Sequence, residues 1–219
     1  MFRSLALLLA LSGGAAAQTA PSASDIAAYD GLHLAAHNGD VAQITRLIAQ
    51  GADLDARDGS DRTPAHVAAF ASHYAALIAL AQGGAEMNAL ENRVYDVLTI
   101  AAVANDPAMV SLALTLGNRA YLITSVYDGT APIAAAHLGH HDVVARLIAG
   151  GAPLDHVNTL GWTALMEAVV LGHGGPDHTK TLRILVEAGA DKSIPDRDGV
   201  TQLQHALARG YAAMVALLE

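Results

Sequence analysis

A short block returns about every 33 residues along this chain. It is written Thr63-Pro64-Ala65-His66-Val67-Ala68-Ala69, Thr130-Ala131-Pro132-Ile133-Ala134-Ala135-Ala136, Thr163-Ala164-Leu165-Met166-Glu167-Ala168 and Thr201-Gln202-Leu203-Gln204-His205-Ala206. A Gly-Ala pair keeps the same frame at Gly51-Ala52, Gly84-Ala85, Gly151-Ala152 and Gly189-Ala190, with Gly117-Asn118 in the equivalent place, so the steps are 33, 33, 34 and 38 residues. A unit this small has no interior of its own. It becomes stable only by stacking on its neighbours, and what the stack offers other molecules is a long shared surface in place of a buried reaction centre.

Each unit is assembled from the same parts: a polar cap, a short Ala-rich helix, a Gly break, a second helix with an apolar stripe, and a closing Gly. Thr63, Thr130, Thr163 and Thr201 stand where they can cap the first helix, and Asp30 and Asp96 stand there where Thr is missing. Pro64 falls at the first helical position, where its missing N–H costs little. The second helices carry Val41, Ile44, Leu47 and Ile48 in one unit and Val143, Val144, Leu147 and Ile148 in another, a spacing that gathers apolar side chains on one face. Alanines in the first helices (Ala35-Ala36, Ala68-Ala69, Ala101-Ala102, Ala135-Ala136) allow close approach, which is how a chain with 53% hydrophobic residues manages with 4% aromatics.

These residues resemble the ankyrin repeat. Thr63-Pro64-x-His66-x-Ala68-Ala69 and Gly139-His140-x-x-Val143-Val144-x-x-Leu147-Ile148-x-x-Gly151-Ala152 match the family pattern almost position by position. The resemblance runs from about Ser24 to Glu219. It implies an all-α solenoid of about six helix-turn-helix units (24–57, 58–90, 91–124, 125–157, 158–195 and 196–219) joined by hairpin-like turns, with turn tips and first helices lining a concave binding face. Two departures stand out. The third unit opens on Asp96-Val97-Leu98-Thr99 and has Asn105 for its mid-unit Gly, and the fifth carries about five extra residues around Gly172 to Thr179, expected to bulge between its helices.

The first 17 residues read as an export signal, with Arg3 as the positive start, Leu5 to Leu11 as the apolar core and Ala15-Ala16-Ala17 before the cut, followed by a flexible leader over 18–23. The expected compartment is the periplasm. Seven apolar residues fall far short of the roughly 20 that span a bilayer, so no membrane span is expected. Losing Arg3 leaves 11 basic against 21 acidic side chains, and a net charge near −10 argues against nucleic acid as a partner. With no cysteine, disulfides, a catalytic thiolate and a lipidated N-terminal Cys are excluded.

No H-E-x-x-H, G-x-S-x-G, P-loop or dinucleotide-binding motif is present, so no enzyme and no cofactor is expected. Eleven histidines raise the question of a metal. His33, His66 and His140 fall where the family pattern places structural histidines, and Gly139 interrupts the cluster of His137, His140, His141 and Asp142. The remaining weak candidates are His173, Asp177 and His178 in the fifth unit, which support an alternative role in sensing a metal or small molecule. The aromatics are more telling. Tyr29, Tyr95 and Trp162 stand immediately before a capping residue, Tyr127 stands three before one, and Phe70 stands seven after one. The resemblance maps all five to the concave face together with Arg62, Arg93 and His137, and Tyr and Trp make good interface anchors. The expectation is a monomeric module that binds another protein through Tyr29, Arg62, Phe70, Arg93, Tyr95, Tyr127, His137 and Trp162, in a chaperone-like, protective or immunity role, with a secreted effector as the other variant.

Overall fold

The computed structural model describes residues 18–219; the export signal lies outside them. Polar caps start most first helices. Thr63, Asp96, Thr163 and Thr201 accept a backbone N–H three residues on, opening α4 (Pro64–Phe70), α6 (Val97–Val103), α10 (Ala164–Val170) and α12 (Gln202–Arg209). Asp30 and Thr130 occupy the same place before α2 (Gly31–Asn38) and α8 (Ala131–His137) but make no side-chain cap bond. The second helices are α3 (Val41–Ala49), α5 (Tyr74–Gly83), α7 (Pro107–Thr115), α9 (His141–Ala149), α11 (Pro176–Glu187) and α13 (Ala212–Leu218). One further helix, α1 (Ala23–Ala28), precedes the first unit.

First helices stack on first helices from α2 to α12, and second helices form a parallel layer behind them, more loosely between α5 and α7 than elsewhere. The alanines and Val67, Leu98, Ile100 and Leu165 of the front layer meet Ile44, Leu77, Leu80, Val110, Leu147, Leu182 and Leu185 of the back layer in one continuous apolar core. Among the described residues there is no strand. The hairpin-like turns are fingers, numbered second to sixth after the unit whose first helix each precedes, and each closed by one backbone bond: Asp58 N to Arg62 O, Glu91 N to Tyr95 O, Thr124 N to Gly129 O, Asn158 N to Trp162 O and Asp196 N to Val200 O.

Histidines tie the units together. The Nε2 atoms of His73 and His178 donate to the carbonyls of His37 and His137 one unit back, at 2.9 Å each, and His140 Nδ1 does the same to Ala102 at 3.0 Å. The mid-unit break needs left-handed backbone: Gly139 takes φ 73°, and Asn105 takes φ 55° in the third unit, so Asn serves where Gly was expected. A Cβ on Gly139 would stand 3.0 Å from the His178 ring. Gly139→Ala is therefore expected to cost about 1–2 kcal/mol in urea denaturation, whereas Asn105→Gly, which adds no atom and adopts the same left-handed backbone readily, should stay within about 0.5 kcal/mol of the parent.

The leader differs from expectation. Ser22 and Asp25 form a reciprocal capping box that starts α1, and the Thr19 carbonyl accepts from Arg62. The extra residues of the fifth unit also do not simply bulge. The connection is only Leu171 to Gly175, and α11 takes up the rest by growing to 12 residues where α9 has 9.

Candidate binding face

The fingers form a braced row. Ser60 O accepts from Asn92 N at 3.1 Å, and Tyr127 O accepts from Thr159 N at 2.8 Å and from Thr159 Oγ1 at 3.0 Å. Arg57 donates to its own finger at Asp61 O and to the next at Leu90 O, and Arg197 donates to Thr159 O. Within each finger a buried or half-buried polar side chain ties the turn: Asp58, Glu91, Asn158 and Asp196 each accept two backbone N–H groups, and Ser125 does so in the fourth unit. Beside the fingers, the first helices of the first five units present their ends: His37 and Asn38, Phe70 and Ala71, Val103 and Ala104, His137 and Leu138, and Leu171. Regular backbone thus sets a row of side chains at fixed spacing.

The eight expected contact residues divide into two groups. Arg62 is corrected outright: it is 2% exposed, its Nη2 pairs with Asp25 Oδ2 at 2.8 Å and its Nε with Asp58 Oδ2 at 2.7 Å. A guanidinium held this way is structural. Tyr29 donates its phenol to Asp58 at 2.7 Å and lies 5.4 Å from the His33 ring, and burial with that carboxylate contact raises its pKa. Burial opposes the ionisation of Asp58, but hydrogen bonds from Tyr29, two backbone amides and Arg62 still hold its pKa below the usual carboxylate value. Tyr95 and Phe70 are half-buried against the core, and burial raises the Tyr95 phenol. Arg93 and Trp162 are half-buried, and His137 lies 3.3 Å from the buried carboxylate of Glu167. Only Tyr127 stands well out.

The metal candidates do not converge. Asp177 and His178 belong to α11, and the Nε2 of His178 is committed to the His137 carbonyl. Asp177 is exposed and faces His141 at 3.8 Å, while the exposed His173 meets the His178 ring edge to face at 5.0 Å. Among the described residues no three His, Cys, Asp or Glu side chains are grouped for a metal. Tyr121, Ile123, Val126 and Val157 were not foreseen, and all four are exposed on the fingers of the fourth and fifth units. Their signal is apolar side chains at slots that Asp55, Arg57 and Ser60 fill in the second finger and Ser193, Pro195 and Asp198 in the sixth.

This architecture can be matched to known proteins. Family models described as ankyrin repeats in three copies and in many copies match residues 98–196 and 32–81. An ankyrin repeat domain from Acinetobacter baumannii AYE is 38% identical, with a TM-score of 0.79 over 85% of this chain and 95% of that one. The chain belongs to the ankyrin-repeat family. The ankyrin repeat protein YahD of Escherichia coli (strain K12) is 28% identical over 186 residues, 84% of this chain and 92% of its own length. A chain in the structure of the predatory endopeptidase Bd0816 from Bdellovibrio bacteriovorus in complex with immunity protein Bd3460 shares the fold at 22% identity and a TM-score of 0.72, covering 87% of this chain and 97% of that one. Ankyrin repeats mediate protein–protein interaction, and the fold typically serves as a non-enzymatic module. No helix among the described residues is long and apolar enough to cross a membrane.

Proposed function

We propose that this ankyrin array is a non-catalytic grip of the bacterial envelope, a monomer that holds a partner protein in a protective, chaperone-like or immunity role. The observation that carries the reading is the braced row of fingers beside the exposed ends of the first helices. Cross-bonds between neighbouring fingers fix this surface before any partner arrives, and a fixed surface loses little entropy on binding. The residues at the helix ends, Asn38, Ala71, Leu138 and Leu171, lie outside the core, which leaves them free to vary with the partner. The segment Arg3 to Ala17 favours export, and the likeness of the fold to a chain in an endopeptidase–immunity protein complex favours a protective role among those open to it.

Two measurements test this. Cells producing the full chain are subjected to osmotic shock, and the released protein is expected to have a mass beginning at Gln18; an intact chain retained in the cytoplasm overturns the envelope assignment. Partner binding is then measured with Trp162→Ala combined with Leu138→Asp. Trp162 is half-buried and Leu138 exposed, and neither belongs to the core, so the variant should fold normally and bind at least about 2 kcal/mol more weakly. Unchanged affinity removes the concave face from the account.

A further inference from the structure

The fourth finger differs from every other in chemistry and in shape. The second finger reads Asp53-Leu54-Asp55-Ala56-Arg57-Asp58-Gly59-Ser60-Asp61 and the sixth Asp191-Lys192-Ser193-Ile194-Pro195-Asp196-Arg197-Asp198, whereas the fourth reads Arg119-Ala120-Tyr121-Leu122-Ile123-Thr124-Ser125-Val126-Tyr127-Asp128. Four of its apolar side chains face solvent: Tyr121 is 60% exposed, Val126 58%, Ile123 47% and Tyr127 43%. Val157 is also exposed, on the next finger, which is bonded to Tyr127 through Thr159. The closing backbone bond spans one residue more here, Thr124 to Gly129 against Asp58 to Arg62, Glu91 to Tyr95, Asn158 to Trp162 and Asp196 to Val200. The tip is nevertheless rigid. Ser125 Oγ accepts from Tyr127 N at 3.2 Å and Gly129 N at 2.9 Å, and the Tyr127 carbonyl is held twice by Thr159.

We infer that this finger is a preformed apolar knob that enters an uncharged pocket of a folded partner protein. The inference rests on the protein-binding reading above and names the anchor and the chemistry it requires. A projecting, cross-braced tip cannot wrap a peptide; its complement is a concavity. The charges on the finger are one Arg119 and one Asp128, so the centre of the contact is electrically quiet and a charged pocket would be left unpaired. Two other occupants are disfavoured. In a two-fold pair the knob would meet its own copy, convex against convex, with no pocket walls to add contact, and its roughly 400 Å² of apolar surface is about half of the roughly 800 Å² per partner that a stable pair buries. A lipid surface is drawn to clusters of basic residues, and this finger has one arginine on a chain of net charge −9.

The test uses the full chain with the photo-crosslinker p-benzoylphenylalanine in place of Tyr127, in place of Leu138 at the end of α8 and, as control, in place of Gln82 on the second-helix layer. A single protein should cross-link at position 127 and not at 82. That protein, purified, is titrated against the parent, Val126→Asp and Tyr127→Ala, with circular dichroism confirming the fold; Val126→Asp should weaken binding at least a hundredfold and Tyr127→Ala about tenfold. The inference is overturned if both variants bind within threefold of the parent, if position 127 cross-links to a second copy of the chain, or if the parent floats with vesicles of phosphatidylethanolamine and phosphatidylglycerol at about 3:1 while Val126→Asp does not. If Leu138→Asp abolishes binding and Val126→Asp does not, the knob is lost and the protein-binding reading stands. If no protein cross-links at position 127 or at position 138, both fall.

Discussion

Replacing Arg62 with Ala is expected to cost about 3–5 kcal/mol, the largest loss from any single charged side chain in the fold. Removing one partner of a buried ion pair leaves the other charge in a poorly solvated site, and that penalty exceeds what the pair contributed when intact. Asp58, itself nearly buried, would keep only the Tyr29 phenol and backbone amides against its charge. Helix α1 would lose the Asp25 ion pair, and the segment before it the bond to the Thr19 carbonyl. Because units contact only their neighbours, the damage should be local first. Urea denaturation is expected to show an early N-terminal step, and amides of residues 22–29 should lose protection from hydrogen exchange before those of α8 to α11. The double variant Arg62→Met with Asp58→Asn, which removes charge from both sides, should recover part of the loss. A single variant within 1 kcal/mol of the parent would remove the network from the account of stability.

The second large effect is acid destabilisation through His66. Its imidazole is fully buried, Nδ1 accepts from Thr63 N at 3.1 Å, and Nε2 must donate to the Tyr95 carbonyl at 3.1 Å because a carbonyl can only accept. Burial, opposed by the Tyr95 hydrogen bond and aided by the nearby Arg57 charge, pushes its pKa down to about 4. In the unfolded chain the same group titrates near 6.5. Above that pH neither state binds the proton and the full stability is present. As pH falls toward 4 the unfolded state takes up a proton that the folded state refuses, so stability falls by about 1.4 kcal/mol per pH unit, reaching about 3 kcal/mol. Burial moves His178 in the same direction. His66→Gln isolates the effect, since Gln204 already completes the same capping box with Thr201 in the sixth unit. The variant should lose some stability at pH 7.5 through the missing bond to Tyr95, and its unfolding midpoint should fall less than the parent's between pH 6.5 and 4.5. Parallel pH profiles would show that His66 is not the titrating group.

Much of this molecule was legible in its residues because the information is periodic. Repeating Thr, Gly and Ala at a fixed interval specify caps, breaks and close packing, and they do so several times over, so one departure does not blur the pattern. Asn105 shows the tolerance of the code, supplying left-handed backbone where its counterparts use Gly. Thr130 shows the reverse, a residue in the capping slot that makes no cap bond. The binding face was harder to read. Periodicity fixes where a side chain starts and says little about where its far end goes: Arg62 shares the slot of Tyr95 and Trp162, yet turns inward because α1 brings Asp25 beside it. The clue to α1 was present in Ser22-x-x-Asp25-Ile26, a capping box ahead of an apolar residue. The apolar fourth finger stands out only when fingers are compared with one another, since no rule of spacing marks Ile123 or Val126 as exposed.

The layered contacts also decide how the molecule responds to force. Tension applied between its ends would run along the stack, through carbonyl-bound histidines and finger braces that each join only adjacent units. Such a chain should yield in a sawtooth, each tooth releasing about 33 residues and roughly 110 Å of slack, and a companion clasped across several fingers would be let go in stages.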